Sequence, residues 1–88
     1  MEGYSIKIEG KEYKICEPNF DVLALAFTQL IGKGQADIIK AGQVIFDACY
    51  LGNPEELVEI QKNTKLYLSI CLQAGSLIEV FDGEIKKN

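Results

Sequence analysis

The apolar residues near the start of this chain alternate with polar ones, which is typical of β-strands. Every second residue is apolar over Tyr4–Ile8 and again over Glu12–Cys16, and Glu9-Gly10-Lys11 between them is a turn signal. The pattern therefore predicts a β-hairpin over residues 4–16. Because a two-stranded hairpin is only marginally stable alone, we expect its apolar face to lie against the rest of the chain.

After the hairpin, the apolar spacing becomes that of amphipathic helices. Asn19, Asn53 and Asn63 are suitable N-caps, and Pro54 suits a first helical position. Together these signals predict helices over about 20–31, 36–51, 54–62 and 64–82. The expected fold is one α+β domain spanning 1–88, with an N-terminal two-stranded antiparallel β-hairpin packed on a small bundle of three to four helices.

Two helical stripes are the expected core. The last long apolar run, Lys65–Phe81, predicts a closing helix against which the earlier elements pack. Its stripe comprises Tyr67, Ile70, Cys71, Ala74, Leu77, Ile78 and Phe81. The stripe predicted to be buried in the first helix comprises Phe20, Leu23, Ala24, Phe27, Leu30 and Ile31. Gly42 lies inside the second helix at a cost of about 1 kcal/mol against alanine, which predicts close approach of a neighbouring helix or of the hairpin there.

The helices carry more apolar positions than the roughly three in seven that an ordinary surface helix buries. Two interpretations fit this surplus: a core that covers two faces of each helix, or an exposed apolar surface for self-association or for holding a partner helix. If the surface is exposed, the candidate partner-binding residues are Val22, Leu25, Ala26, Ile39, Phe46, Tyr50, Leu68 and Leu72.

The amino-acid composition argues against a catalytic site and against binding of phosphate or nucleic acid. The chain has no His, and its nine basic residues are all lysines, so it lacks an imidazole base and a guanidinium clamp for phosphate. The net charge of −4 also makes a nucleic-acid partner unfavourable. Gly32-Lys33-Gly34 lacks the spacing of a phosphate-binding loop and is interpreted as a helix stop. We therefore expect no catalytic residues, no metal site and no cofactor.

The remaining sequence features concern cysteines and location. The chain has three cysteines at positions 16, 49 and 71 without a CxxC motif, which favours reduced, buried thiols over a redox site. The longest uninterrupted apolar runs, such as Val22–Phe27, end well before the roughly 20 residues of a membrane span. The Met1-Glu2-Gly3 start lacks the features of a signal peptide. We expect no membrane association and a cytoplasmic location.

Three segments carry a resemblance to a known family. They are Ile8–Phe20 (IEGKEYKICEPNF), Ala41–Tyr50 (AGQVIFDACY) and Lys65–Val80 (KLYLSICLQAGSLIEV), in a layout of hairpin, proline and helices. The whole chain resembles small proteins of bacteriophages and prophages, particularly of Bacteroides-type bacteria, that are classed as tail assembly chaperones. The resemblance implies a non-enzymatic protein of the host cytoplasm that keeps the helical tape measure protein soluble while tail tube subunits assemble around it.

The leading hypothesis is a module that binds an apolar helical segment of a protein partner, with the tape measure protein or tail tube subunits as the suspected partners. The alternative is a self-associating structural or scaffold module of a phage or bacterial assembly, which would form a homo-oligomer. An enzyme or small-molecule binder is the third class, and a well-formed polar pocket would favour it.

Overall fold

The computed structural model describes residues 3–30, 35–78 and 83–87. An antiparallel two-stranded hairpin precedes four helices that pack together, which confirms the predicted α+β class. The elements are β1 (Gly3–Ile8), β2 (Lys11–Cys16), α1 (Phe20–Phe27), α2 (Gln35–Cys49), α3 (Pro54–Lys62) and α4 (Thr64–Gly75).

The hairpin forms through a two-residue turn. Glu9 and Gly10 have φ angles of 50° and 84°, and positive φ at both positions is the requirement of a type I′ turn, whose twist matches that of the strands. Ile6 lies opposite Tyr13 in the register, and both are buried together with Ile15. This apolar face is covered by helices, since β1 packs against α4 and β2 against α2.

The end of β2 also pairs with the chain that follows α2. Ile15 forms an isolated antiparallel bridge with Tyr50, and the Leu51 amide donates a hydrogen bond of 3.0 Å to the Lys14 carbonyl oxygen. These backbone contacts attach the hairpin to the C-terminal end of α2.

Helix α1 ends at Phe27, four residues before the predicted end. The Thr28 hydroxyl donates to the Leu25 carbonyl oxygen over 2.5 Å. The amides of Gln29 and Leu30 bond to carbonyls three residues back rather than four. This tighter turn ends the α-helix, because a hydroxyl that bonds to the backbone competes with the regular ladder.

Helix α4 ends in the same way, at Gly75 instead of residue 82. The Ser76 hydroxyl donates to the Gln73 carbonyl oxygen over 2.6 Å, and the next amides again bond three residues back.

Helix α3 has the predicted bounds, and Asn53 and Glu56 form a capping box at its start, with hydrogen bonds of 2.8 and 3.1 Å.

Helices α2 and α4 form the main helix–helix contact, and glycines lie at their crossing. A Cβ atom added at Gly42 would overlap the Cys71 carbonyl oxygen and stand 2.7 Å from the Gly75 amide nitrogen. A Cβ atom at Gly75 would overlap the Ile38 carbonyl oxygen. The close approach predicted at Gly42 is therefore present, and the neighbouring element is α4.

The core is centred on Phe46 of α2, which is completely buried. Its ring lies 5.1 Å from that of Tyr50 and 6.4 Å from that of Tyr67, centroid to centroid. The predicted stripe of α4 is confirmed where it is described. Its residues Ile70, Cys71 and Ala74 are buried.

The predicted core stripe of α1 is only partly correct: Leu23 and Leu30 are half-buried against the core, whereas the expected burial of Phe20, Ala24 and Phe27 is wrong. Phe20 is 82% exposed and Phe27 is 51% exposed, and Ala24 is exposed as well. The buried residue of this helix is Ala26, with Leu23 half-buried. Because α1 packs chiefly against α2, one narrow face suffices for the contact, and the small Ala26 side chain lets the two helices approach.

Several predictions concern residues outside the described ranges: Ile31, the Gly32-Lys33-Gly34 helix stop, Val80, Phe81 and Asp82. Among the described helices, none has the length and apolar character needed to cross a membrane.

Candidate protein-binding surface

The solvent side of α1 carries an apolar face. Phe20, Ala24 and Phe27 recur at helical spacing and are all exposed; we name these three residues the α1 outer face. Asn19 fixes the start of the helix, since its side chain accepts a 2.9 Å hydrogen bond from the Val22 amide. The cap thus makes Phe20 the first helical residue. Phe20 and Phe27 are two aromatic side chains of one helix that are exposed to solvent.

An open groove lies between α1 and α2, more than a third of a turn around α1 from the α1 outer face. It has a volume of about 500 Å³ and is lined by Asp21, Val22, Leu25, Val44, Asp47 and Ala48; we name it the α1–α2 groove. Leu25 is 58% exposed on its rim. Four apolar side chains and two carboxylates give the groove an apolar floor with negative charge beside it.

The eight candidate partner-binding residues do not form one surface. Two of them, Ala26 and Phe46, have no exposed surface. Expecting them on an accessible face was wrong, because the α1–α2 contact covers Ala26 and aromatic rings surround Phe46. The structure brings together Val22 and Leu25, both of which line the α1–α2 groove.

The other four candidates lie elsewhere. Ile39 and Tyr50 are half-buried. Leu68 is 50% exposed on α4. Leu72 lines a separate pocket of about 410 Å³ that shares no lining residue with the α1–α2 groove. The exposed residues that sequence reasoning missed are Phe20 and Phe27, whose spacing fitted a core stripe equally well.

The Asp47 carboxylate accepts hydrogen bonds from side chains of two other helices. The Tyr67 hydroxyl donates to its two oxygens at 2.7 and 2.9 Å, and the Gln61 amide donates at 3.2 Å. Burial and this hydrogen bond raise the pKa of Tyr67 above its usual value. The contacts tie α2 to α3 and α4 beside the α1–α2 groove, which holds the groove wall in place.

A second cleft, of about 450 Å³, lies between the hairpin and α3, and its lining includes Glu55, Glu56, Glu59, Tyr13 and Tyr50. Two of its carboxylates have local roles: Glu56 closes the capping box, and Glu59 lies 3.6 Å from the Lys62 ammonium group. Burial, followed by the charge of Glu56, raises the pKa of Tyr50. Helix capping and surface ion pairing therefore explain the positions of Glu56 and Glu59.

Across residues 3–30, 35–78 and 83–87, no group of three or more His, Cys, Asp or Glu side chains is arranged to hold a metal ion. The three cysteines are free thiols, with Cys49 and Cys71 buried. Burial raises the pKa of each of these two thiols to about 11, so both are protonated near neutral pH.

Comparison with protein-family models, curated proteins and solved structures gave no match for this chain.

Proposed function

We propose that this domain is a non-enzymatic protein-binding module that holds an apolar helical segment of a partner. Its specific role is that of a phage tail assembly chaperone, which keeps the helical tape measure protein soluble in the host cytoplasm. The observation that carries the proposal is the exposure of Phe20, Leu25 and Phe27 on one short helix. The identity of the partner rests on the family resemblance alone.

The exposed area sets the strength of the expected contact. Covering a fully exposed large apolar side chain yields about 1.5–3 kcal/mol. At the exposures of Phe20, Leu25 and Phe27, which are 82%, 58% and 51%, the total is about 4 kcal/mol. A gain of this size corresponds to millimolar affinity at best. Co-purification requires tighter binding than this, so the partner has to cover apolar surface of the domain beyond these three side chains.

Charge defines the chemistry of the favoured segment. Asp21 and Asp47 line the α1–α2 groove, and the whole chain carries a net charge of −4. A helix that places apolar residues on the α1 outer face and lysine or arginine beside the groove is complementary in both respects. An acidic helix of equal hydrophobicity should bind less well.

The test is co-expression with a helical phage tape measure protein, followed by affinity purification. The expected result is that the partner is soluble only when the chain is present and that the two co-purify. Leu25→Glu and Phe20→Glu should reduce co-purification at least tenfold while thermal unfolding stays close to that of the wild type. A partner that is equally soluble alone and does not co-purify would overturn the proposal.

Val58→Glu is the matched control. Val58 is 46% exposed on α3, so the substitution adds the same charge to an exposed helix position away from the α1 outer face and should leave co-purification unchanged. Phe46→Asp is unsuitable for this purpose, because a charge at that buried position should unfold the chain.

Self-association is the alternative, since a second copy would cover the same apolar face. Light scattering over a range of concentrations separates the two functions. A dimer that dissociates in Leu25→Glu, together with no effect on the helical protein, would favour a structural or scaffold module. A monomer at all concentrations would remove this alternative.

A further inference from the structure

Two of the three thiols are brought together by the attachment of the hairpin to α2. An isolated antiparallel bridge pairs Ile15 with Tyr50, so Cys16, the next residue of β2, lies near Cys49, the last residue of α2. After burial, the neighbouring Cys16 thiol is the group that raises the pKa of the Cys49 thiol. A bridge pair such as Ile15 and Tyr50 has Cα atoms about 4.5–5.5 Å apart, and a disulfide between the two adjacent cysteines requires a Cα separation of roughly 4.4–6.8 Å.

Cys16 and Cys49 also differ in accessibility. Cys16 is half-buried at the end of β2, so a small reagent reaches it from solvent. Cys49 is 3% exposed at the end of α2, and burial with the neighbouring Cys16 thiol raises its pKa to about 11. In this arrangement the accessible thiol meets the reagent first, and the buried, protonated thiol lies behind it.

We propose that Cys16 and Cys49 are a disulfide-forming pair whose co-reactant is a low-molecular-weight disulfide, RSSR. The Cys16 thiol gives its proton to solvent, and its sulfur attacks one sulfur of RSSR. The S–S bond of RSSR breaks, one RS⁻ leaves and takes up a proton, and Cys16 carries the mixed disulfide.

In the second step Cys49 loses its proton to solvent and its sulfur attacks the Cys16 sulfur. The mixed disulfide breaks, and the second RS⁻ leaves and is protonated. Two protein thiols are oxidised to one disulfide, and RSSR is reduced to two RSH. The new bond joins β2 to the end of α2, and it constrains the unfolded chain by closing a loop between positions 16 and 49.

Cys71 provides an internal control. It is buried in α4, and the neighbours that affect its thiol are Asp47 and Tyr67, with no second cysteine among them. The proposal therefore assigns one disulfide and one remaining thiol to the oxidised chain.

The test is incubation of the folded, full-length chain with oxidised glutathione. The sample is then unfolded in acid, alkylated, and analysed by intact mass and peptide mapping. We expect one alkylated cysteine, a mass lower by two hydrogens, a cross-linked peptide containing Cys16 and Cys49, and a higher unfolding temperature. Cys71→Ala should oxidise like the wild type, whereas Cys49→Ser should retain glutathione on Cys16.

Three outcomes would overturn the proposal. The first is three alkylated thiols after incubation of the folded chain, and the second is a disulfide that includes Cys71 or joins two chains. The third is a Cys16–Cys49 bond that forms in denaturant but not in the folded protein, because the proposal depends on the register of the Ile15–Tyr50 bridge.

Discussion

The crossing of α2 and α4 provides the sharpest test of the packing. Replacing Gly42 by alanine adds one methyl group, which would lie 2.6 Å from the Cys71 carbonyl carbon and 2.7 Å from the Gly75 amide nitrogen. Carbon atoms in favourable contact stand roughly 3.5–4.0 Å apart. The atoms in the way belong to the α4 backbone and cannot rotate aside. The nearest of them, the Cys71 carbonyl oxygen, overlaps the methyl group, so the two helices must separate by more than about 1 Å to restore that spacing.

The magnitude follows from two opposing effects. Overpacking of this kind costs about 1–3 kcal/mol, with the upper end expected where backbone must move. Alanine gains about 1 kcal/mol over glycine in helix propensity. The net loss in the free energy of unfolding should be about 2 kcal/mol, which lowers the melting temperature of a domain this size by roughly 8–16 °C.

The assay is urea and thermal unfolding followed by circular dichroism. Gly83→Ala is the control, because it adds the same methyl group where no atom lies within 4 Å, and it should change stability by less than about 0.5 kcal/mol. Gly75→Ala meets the Ile38 backbone and should destabilise the chain comparably. The double variant should cost less than the sum, because one separation relieves both overlaps.

A result in which Gly42→Ala is as stable as the wild type, or more stable, would refute the packing argument. Helix propensity would then be the larger effect, and α2 and α4 would not approach at this glycine. The same conclusion would follow if Gly42→Leu left the free energy of unfolding unchanged.

Two further predictions concern the α2–α4 contact and its buried thiols. Tyr67→Phe removes the donor to Asp47 and should lower the free energy of unfolding by about 1–2 kcal/mol. In a double-mutant cycle with Asp47→Ala the combined loss should be smaller than the sum of the two single losses, and full additivity would contradict the hydrogen bond. Gln61→Ala is the control and should cost less. Stability should also fall at alkaline pH, because burial raises the pKa of Cys49 and Cys71 from 9.0 to about 11, so their contribution is complete below pH 9 and is lost as pH rises toward 11. Denaturant titrations between pH 8 and 11 measure this loss, and a flat profile would contradict the burial of the two thiols.

Local signals were sufficient for most of the secondary structure. The hairpin follows from strict alternation around a turn, and α3 follows from the Asn53-Pro54 start, since both patterns are read within a few residues. The ends of α1 and α4 were missed because Thr28 and Ser76 are weak breakers in sequence. Their hydroxyl bonds to carbonyls three residues back exist only once the helix has formed.

The candidate site could be predicted only in part. A surplus of apolar helix positions was evident from the spacing, and Leu25 was among the candidates. Phe20 and Phe27 were assigned to the core, whereas the structure places both in solvent. On α1 nearly every position is apolar, so periodicity offered several equivalent stripes and no means of choosing among them.

The sequence by itself determined the order and type of the elements, the helix starts, the acidic charge and the absence of histidine and arginine. The elements and their starts depend on neighbours within one or two turns of the chain, and the charge and missing residue types depend on composition alone. The tertiary structure alone decided that Ala26 rather than Phe20 faces α2, that Gly42 meets the α4 backbone, and that Cys16 lies beside Cys49. The physical reason is that these contacts join residues distant in sequence. Helical spacing defines faces around one axis, but the rotation of that axis against its neighbours is set by packing of the whole core.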